Sequence, residues 1–420
     1  MSDRESTSPS GALRHQRAFA QFWIARIASG FGFQMLSVAV GWQIYSMTHR
    51  ALDLGLIGLA QFVPSLLFAL PAGHVADQFE RRRVVVLCQV AECIAIALLT
   101  IGSVLHLLDE TLILALVFII GAAKAFEFPP MQAMVPGLVP ERLLPQAMAA
   151  SASASQIAMI AGPAVGGLLY VLGPGVVYGT SAVLYLAAIA AMSMLRYDHV
   201  PPRREPATLR TVFAGVIFIR ARPVVLGVIS LDLFAVLLGG ATALLPIFAQ
   251  DILHTGPWGL GLLRAAPAVG ALAMSVWLAR NALRQHVGRI MFASVAGFGI
   301  ATLVFALSTT LWLSMTALFA LGAFDMVSMV IRGALVQLET PDDMRGRVSA
   351  VNAIFINTSN QLGEFESGLL AAWLGAVPAT LIGGIGTLLA VGIWAALFPS
   401  IRRRRGLRPD VSEAIASDPR

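Results

Sequence analysis

Lys124, the only lysine in the chain, stands three residues before Glu127 inside a long apolar run. Residues three apart share one face of a helix, so an ion pair between them is one reading. The other is that a carboxylate held in hydrocarbon carries a proton, because bare charge is costly there and an ionisable group in a spanning segment is a functional candidate. The same reasoning singles out Arg26, Glu92, Asp232, Asp325 and Glu364, each embedded in apolar sequence, with Arg264, Arg332 and Glu366 nearby. Together these residues are candidates for the polar lining of a substrate cavity. Glu127 and Asp232 are the first candidates for proton coupling. Arg26 lies about two turns into the first apolar run, where a base either reaches back to the headgroups or lines a wet cavity. Glu364 and Glu366 are two apart, so only one points straight at a given face, and a pair between Arg264 and Glu366 is feasible.

Other chemistries find no support. There is no Gly-x-x-x-x-Gly-Lys-Ser/Thr phosphate loop, no His-Glu-x-x-His and no serine elbow, and the seven histidines are scattered. No catalytic residue, metal site or cofactor is expected, and the proton gradient is the expected energy source. Cys88 and Cys93, five residues apart, face different sides of a helix and read as small packing residues.

The elements that must position these groups are membrane helices. Of the 420 residues 57% are hydrophobic and only 12% charged, against about 25% charged in a typical soluble domain. A spanning helix needs roughly 20 apolar residues. Twelve runs qualify, over 20–46, 54–76, 84–108, 112–131, 147–171, 175–195, 224–250, 258–279, 290–308, 311–332, 349–373 and 376–398. They lack the alternation of barrel strands. The first run is too long for a signal-peptide core. Trp42 and Tyr45 near its end fit an aromatic belt, and Asp53 is placed to cap the second helix.

The net charge of +6 sorts by side of the membrane rather than pointing to nucleic acid. With both termini inside, every base falls in a cytoplasmic segment except Arg50, in an external loop, and Arg26, Lys124, Arg264 and Arg332, within helices. The positive-inside rule therefore predicts N-in, C-in. Basic runs such as 402–405 read as anchors meeting anionic lipid, so membrane lipid is an expected partner and nucleic acid is not.

Between the second and third runs the chain reads Gly73-His-Val-Ala-Asp77-Gln-Phe-Glu-Arg81-Arg82-Arg83, a polar turn between apolar segments. Gly-x-x-x-Asp-x-x-x-Arg-Arg resembles the signature between helices 2 and 3 of the major facilitator superfamily of secondary transporters. It departs at Gln78, where a base is usual, and at Glu80, where glycine is usual; Asp-x-x-Glu-Arg-Arg is the form of the enterobactin-exporter-like and macrolide-efflux branch. The resemblance makes Gly73, Asp77, Arg81 and Arg82 gating residues rather than substrate ligands, against the plainer reading of a solvated turn. In the fifth run, Gly162-Pro163-Ala-Val-Gly166-Gly167 resembles the helix 5 motif of the superfamily's antiporters, with Ala158 in place of the upstream glycine. Residues 337–348, Gln-Leu-Glu-Thr-Pro341-Asp-Asp-Met-Arg345-Gly346-Arg347-Val, resemble the loop 10–11 signature of the same branch. Many drug antiporters of the superfamily carry an arginine earlier in helix 4; none stands here, so either Lys124 takes its place or the coupling differs.

A proline- and arginine-rich stretch, 196–223, divides the chain into six-helix halves, 1–195 and 224–400, followed by a tail, 401–420. Pro140-Glu141-Arg142 corresponds to Pro341-Asp342-Asp343 at an offset of 201, which also maps Gly162 onto Gly363. The stretch 280–289 reads as a degenerate partner of the first motif. The fold class expected is an all-α polytopic major facilitator protein of twelve transmembrane helices, monomeric, in the bacterial inner membrane. By resemblance it exports a small amphipathic siderophore or drug by proton antiport, with the site at the midplane between the halves. A lysophospholipid or lipid flippase is the alternative. A non-transporting sensor would need an output domain, which a tail of about twenty residues does not supply.

Overall fold

Each apolar run in lipid must satisfy its own backbone groups, and helices do so within the segment. The computed structural model describes residues 16–196, 209–281, 285–404 and 406, and among them every regular element is helical. The centre of the expected linker, residues 282–284 of the 280–289 stretch, and the tail beyond 404 apart from 406 lie outside the described residues. The helices are α1 (Arg17–Thr48), α2 (Ala51–Leu67), α3 (Ala69–Gln78), α4 (Arg81–Val104), α5 (Glu110–Met134), α6 (Leu144–Tyr170), α7 (Pro174–Ser193) and α8 (Leu209–Ala221). They continue as α9 (Pro223–Leu238), α10 (Pro257–Arg280), α11 (Val287–Leu307), α12 (Leu311–Glu339), α13 (Asp342–Leu374), α14 (Ala376–Leu397) and α15 (Pro399–Arg403).

Among the described residues ten helices are long and apolar enough to cross a membrane, or eleven if the pair α2 and α3, bent by 56°, is one span. The one remaining expected run, 349–373, falls in α13. That helix has 33 residues, but Asn352, Ser359, Asn360, Gln361, Glu364 and Glu366 make it too polar to qualify. Large side chains such as Leu98, Val183, Trp373 and Leu389 point outward, as lipid allows.

The chain forms two compact units, Met1–Met47 with Val63–Ala207 and Thr48–Phe62 with Thr208–Arg420. In the first, α4 packs on α5 and α7. Phe19, Phe22, Val85, Met131, Met134 and Met192 gather in one buried apolar cluster of this unit. In the second, α12 packs on α10 and α11, and α11 on α14. Its core gathers Val225, Val287, Met291, Ile331, Leu335 and Ile401. Here α2 lies against α13 so closely that a Cβ added at Gly55 would sit 3.2 Å from the Gly368 Cα, so small residues are required at this crossing.

Three local expectations are corrected. Gly73 and Asp77 lie inside α3, so the turn shrinks to Phe79 and Glu80. Asp53 is not a cap, because α2 begins at Ala51 and places it in the first turn. Tyr45 is buried inside the protein rather than in an aromatic belt; Trp42 meets Tyr170 edge-on, with ring centroids 6.4 Å apart.

Candidate functional site

On α4, Val85, Gln89, Glu92, Ile96 and Leu99 recur at spacings of four and three and are fully buried. This stripe faces the protein, so Gln89 and Glu92 are carried into the interior by their apolar neighbours. On α5 the buried stripe Leu116, Ile120, Ala123 and Glu127 does the same for Glu127. Lys124 stands at the edge of that stripe, its side chain 30% exposed against 3% for Glu127 and 0% for Glu92. The three charges meet. Lys124 Nζ is 2.5 Å from Glu127 Oε2 and 3.7 Å from Glu92 Oε2. The Gln89 amide donates to Glu127 Oε1 at 2.9 Å. The ammonium also lies over two aromatic rings, 5.4 Å from the centroid of Phe33 and 5.8 Å from that of Tyr185. Neither oxygen of Glu92 has a hydrogen-bond partner, nor does the buried Tyr185 hydroxyl that faces it. Arg26 contributes from α1. Its Nε and Nη2 donate to Ser155 Oγ at 3.3 and 3.2 Å, and the nearby Glu127 acts on it through space.

The second unit arranges its charges differently. Arg332 of α12 pairs directly with Asp232 of α9, and both side chains are nearly sealed, at 5% and 9% exposure. Asp325, two turns before Arg332, lines a small cavity with Asp232 and Ser328 and makes no ion pair among the described residues. Arg264 of α10 and Glu364 of α13 act on each other through space.

The motif residues are placed as follows. Arg81 is buried and its Nη1 donates to the Ala133 carbonyl at 2.9 Å, near the end of α5. Arg82 Nη1 donates to the carbonyls of Ser193 and Leu195 at 3.3 and 3.0 Å, where α7 ends. Both arginines thus satisfy carbonyls left over at helix C-termini, where cations are favoured. Glu80 holds Arg82 at 3.0 Å and Arg83 at 2.5 Å. Asp77 is half-buried and joins no ion pair among the described residues, and a Cβ on Gly73 would meet nothing within 4 Å. In α6, Gly162, Pro163, Gly166 and Gly167 are all buried. A Cβ on Gly166 would lie 2.9 Å from the Met35 Cα, whereas on Gly162 it would meet the Gln34 side chain. Pro341 occupies the N-cap position of α13, and its carbonyl accepts from the amides of Met344 and Arg345 at 3.0 Å. Arg345 Nε donates to the Gln337 carbonyl at 3.3 Å; Arg347 is exposed beside Met344, and a Cβ on Gly346 would meet nothing within 4 Å.

The structure therefore gathers Glu92, Lys124 and Glu127 in one unit and Asp232 and Asp325 around one cavity in the other. Gln89, Phe33, Tyr185 and Ser155 were not anticipated. Gln89 carries the one signal that would have found it, standing three residues before Glu92 on the same face.

The family described as transmembrane secretion effector matches residues 7–406. The enterobactin exporter EntS of Escherichia coli O1:K1 / APEC is 27% identical over 410 residues, 95% of this chain and 96% of its own length. The protein of that name from Escherichia fergusonii matches at the same identity and coverage. Among solved structures, the nucleoside transporter NupG superposes with TM-score 0.70 at 14% identity, over 91% of this chain and 99% of its own. A D-xylose-proton symporter gives 0.71 at 13%, over 91% and 98%. At these identities the structural likeness shows the fold alone.

Proposed function

This chain belongs to the transmembrane secretion effector family of the major facilitator superfamily, and we propose that it exports a small amphipathic organic compound in exchange for protons by alternating access. It is a multi-pass protein of the bacterial inner membrane, and its relatives are transporters rather than enzymes. The observation that carries the exchange is the Lys124 cluster: two carboxylates share one ammonium inside spanning helices while the Arg26 guanidinium acts on Glu127, so Glu92 is the acid left without a base of its own unless a proton joins it. Siderophores are the first substrates to try, since enterobactin is what the full-length relatives are named for exporting. Asp77 is the gating acid of the first motif, Gly162 to Gly167 shape the export path, and the halves divide near 196–223.

The test is protein reconstituted in liposomes with an internal pH dye and an imposed proton gradient. Enterobactin, a hydroxamate siderophore, a macrolide, a tetracycline and a lysophospholipid are added singly. Proton movement coupled to a siderophore or drug is expected. Movement of the lysophospholipid alone identifies a flippase instead, and movement of none without a proton signal overturns the proposal.

A further inference from the structure

Within that reading, the three ionised groups of the cluster are not equivalent, and their differences name the group that takes the proton. Glu127 has both oxygens engaged, one by the Lys124 ammonium at 2.5 Å and the other by the Gln89 amide at 2.9 Å. Ionised, it is fully served, and a proton on it would displace one of these donors. Glu92 is fully buried with neither oxygen hydrogen-bonded, and the ammonium stands at 3.7 Å, beyond hydrogen-bond reach but within ion-pair range. A bare carboxylate in that position accepts no hydrogen bond, the Tyr185 hydroxyl facing it and the Lys124 ammonium both standing off, whereas a neutral carboxyl is tolerated.

A carrier must also be able to give its proton back, and this separates Glu92 from Asp325. Asp325 lines its cavity with Asp232 and joins no ion pair among the described residues, so no base stands paired to its ionised form there. Glu92 has a cation already in place. Lys124 can approach it on a flexible stem while keeping Glu127, because an ammonium has three donors. The other groups that face Glu92 do not replace this arrangement. Tyr185 from α7 offers a phenol, Cys88 and Cys93 on α4 offer thiols, and the Arg26 charge from α1 acts on Glu127 while its donors go to Ser155.

We infer that Glu92 is the proton-binding carboxyl of this transporter, and that Glu127 remains the ionised counter-ion which, with Gln89, holds Lys124 ready to neutralise Glu92 when the proton leaves. The step forms the Glu92 O–H bond from solvent hydronium on one side and breaks it to water on the other. Lys124 gains Glu92 as a second partner, keeps Glu127, and stays protonated throughout.

The proton itself is the probe. Purified protein in lipid nanodiscs is titrated while the carboxyl C=O stretch is followed by infrared difference spectroscopy in light and heavy water. A protonated-carboxyl band present in the wild type should be lost in Glu92→Gln, shifted in Glu92→Asp, and kept in Asp325→Asn. In Lys124→Gln it should persist to higher pH, since the ionised form has lost its cation. The inference is overturned if Glu92→Gln keeps the full band, or if the band vanishes in Asp325→Asn instead. Near-wild-type thermal unfolding of each variant qualifies it for comparison, and Glu92→Asp supplies the readout if Glu92→Gln does not fold. Because no substrate enters this measurement, its failure is separate from failure of the liposome assay to show antiport.

Discussion

In one unit a single ammonium serves two carboxylates and is itself 30% exposed; in the other a single guanidinium serves Asp232 and both are nearly sealed. The balanced, closed pair has no vacancy for a proton and fastens α9 to α12. The unbalanced, partly open cluster has one. The offset of 201 that relates the halves places Asp325 at the position of Lys124 and Ser328 at that of Glu127. At matching places the first half thus keeps a base and an acid where the second has an acid and a neutral hydroxyl, and the cation of the second half stands two turns further on, at Arg332. The difference teaches that intramembrane charge is not one kind of evidence: stoichiometry and exposure decide whether it fastens or works.

The strongest way to break this comparison is at the fastener. Arg332→Ala leaves Asp232 buried without its base, and losing one member of a buried pair costs about 3–5 kcal/mol. The thermal unfolding midpoint in detergent should fall markedly, and Asp232→Leu combined with Arg332→Leu should recover most of it. An unchanged midpoint in Arg332→Ala would mean the pair fastens nothing.

The same substitution logic gives a different result in the cluster. Lys124→Gln strands two acids, so proton-driven transport should drop about tenfold or more, equivalent to about 1.4 kcal/mol. Adding Glu127→Gln should restore thermal stability but not transport, because the cluster then has no cation to release the proton. Recovery of transport in the double variant would place the coupling elsewhere.

A smaller effect is expected from the glycines of α6. Gly166→Val drives side chain into the Met35 backbone, which cannot yield, and overpacking of this kind costs about 1–3 kcal/mol. Gly162→Ala adds a single methyl that presses on the Gln34 Cβ at 2.6 Å and the Phe31 carbonyl oxygen at 3.3 Å, and as the smaller addition it should lower the unfolding midpoint less. The smallest change belongs to Arg82→Ala, which frees the carbonyls of Ser193 and Leu195 at a partly exposed helix end. We expect about 1 kcal/mol or less, since solvent screens the loss. A larger loss than that of Gly166→Val would give Arg82 more than a capping part.

Apolar length made the spans legible, because every residue of a spanning run contributes to that signal; the exception, α13, is the helix with the most polar interior. Lys124 and Glu127 could be paired from their spacing, since i and i+3 share a face. Glu92 was visible as a candidate, but its meeting with Lys124 depends on how α4 packs against α5, which no local pattern encodes. Glu127 and Asp232 are the first proton candidates by sequence because it shows that an acid is buried; whether its oxygens are occupied, the ground on which Glu92 is inferred instead, is not written there. Likewise Arg81 and Arg82 read as one basic cluster, and only the fold reveals that each addresses the end of a different helix.

The most direct test of the central claim separates exchange from accumulation in Glu92→Gln. Liposomes are loaded with enterobactin, and counterflow of labelled enterobactin is measured beside uptake or release driven by an imposed pH difference. If the cluster couples the proton, the variant, fixed in the neutral form, should keep counterflow while losing the response to the gradient. Gradient-driven movement that survives in Glu92→Gln, in protein whose Arg332–Asp232 pair is intact, would contradict the account.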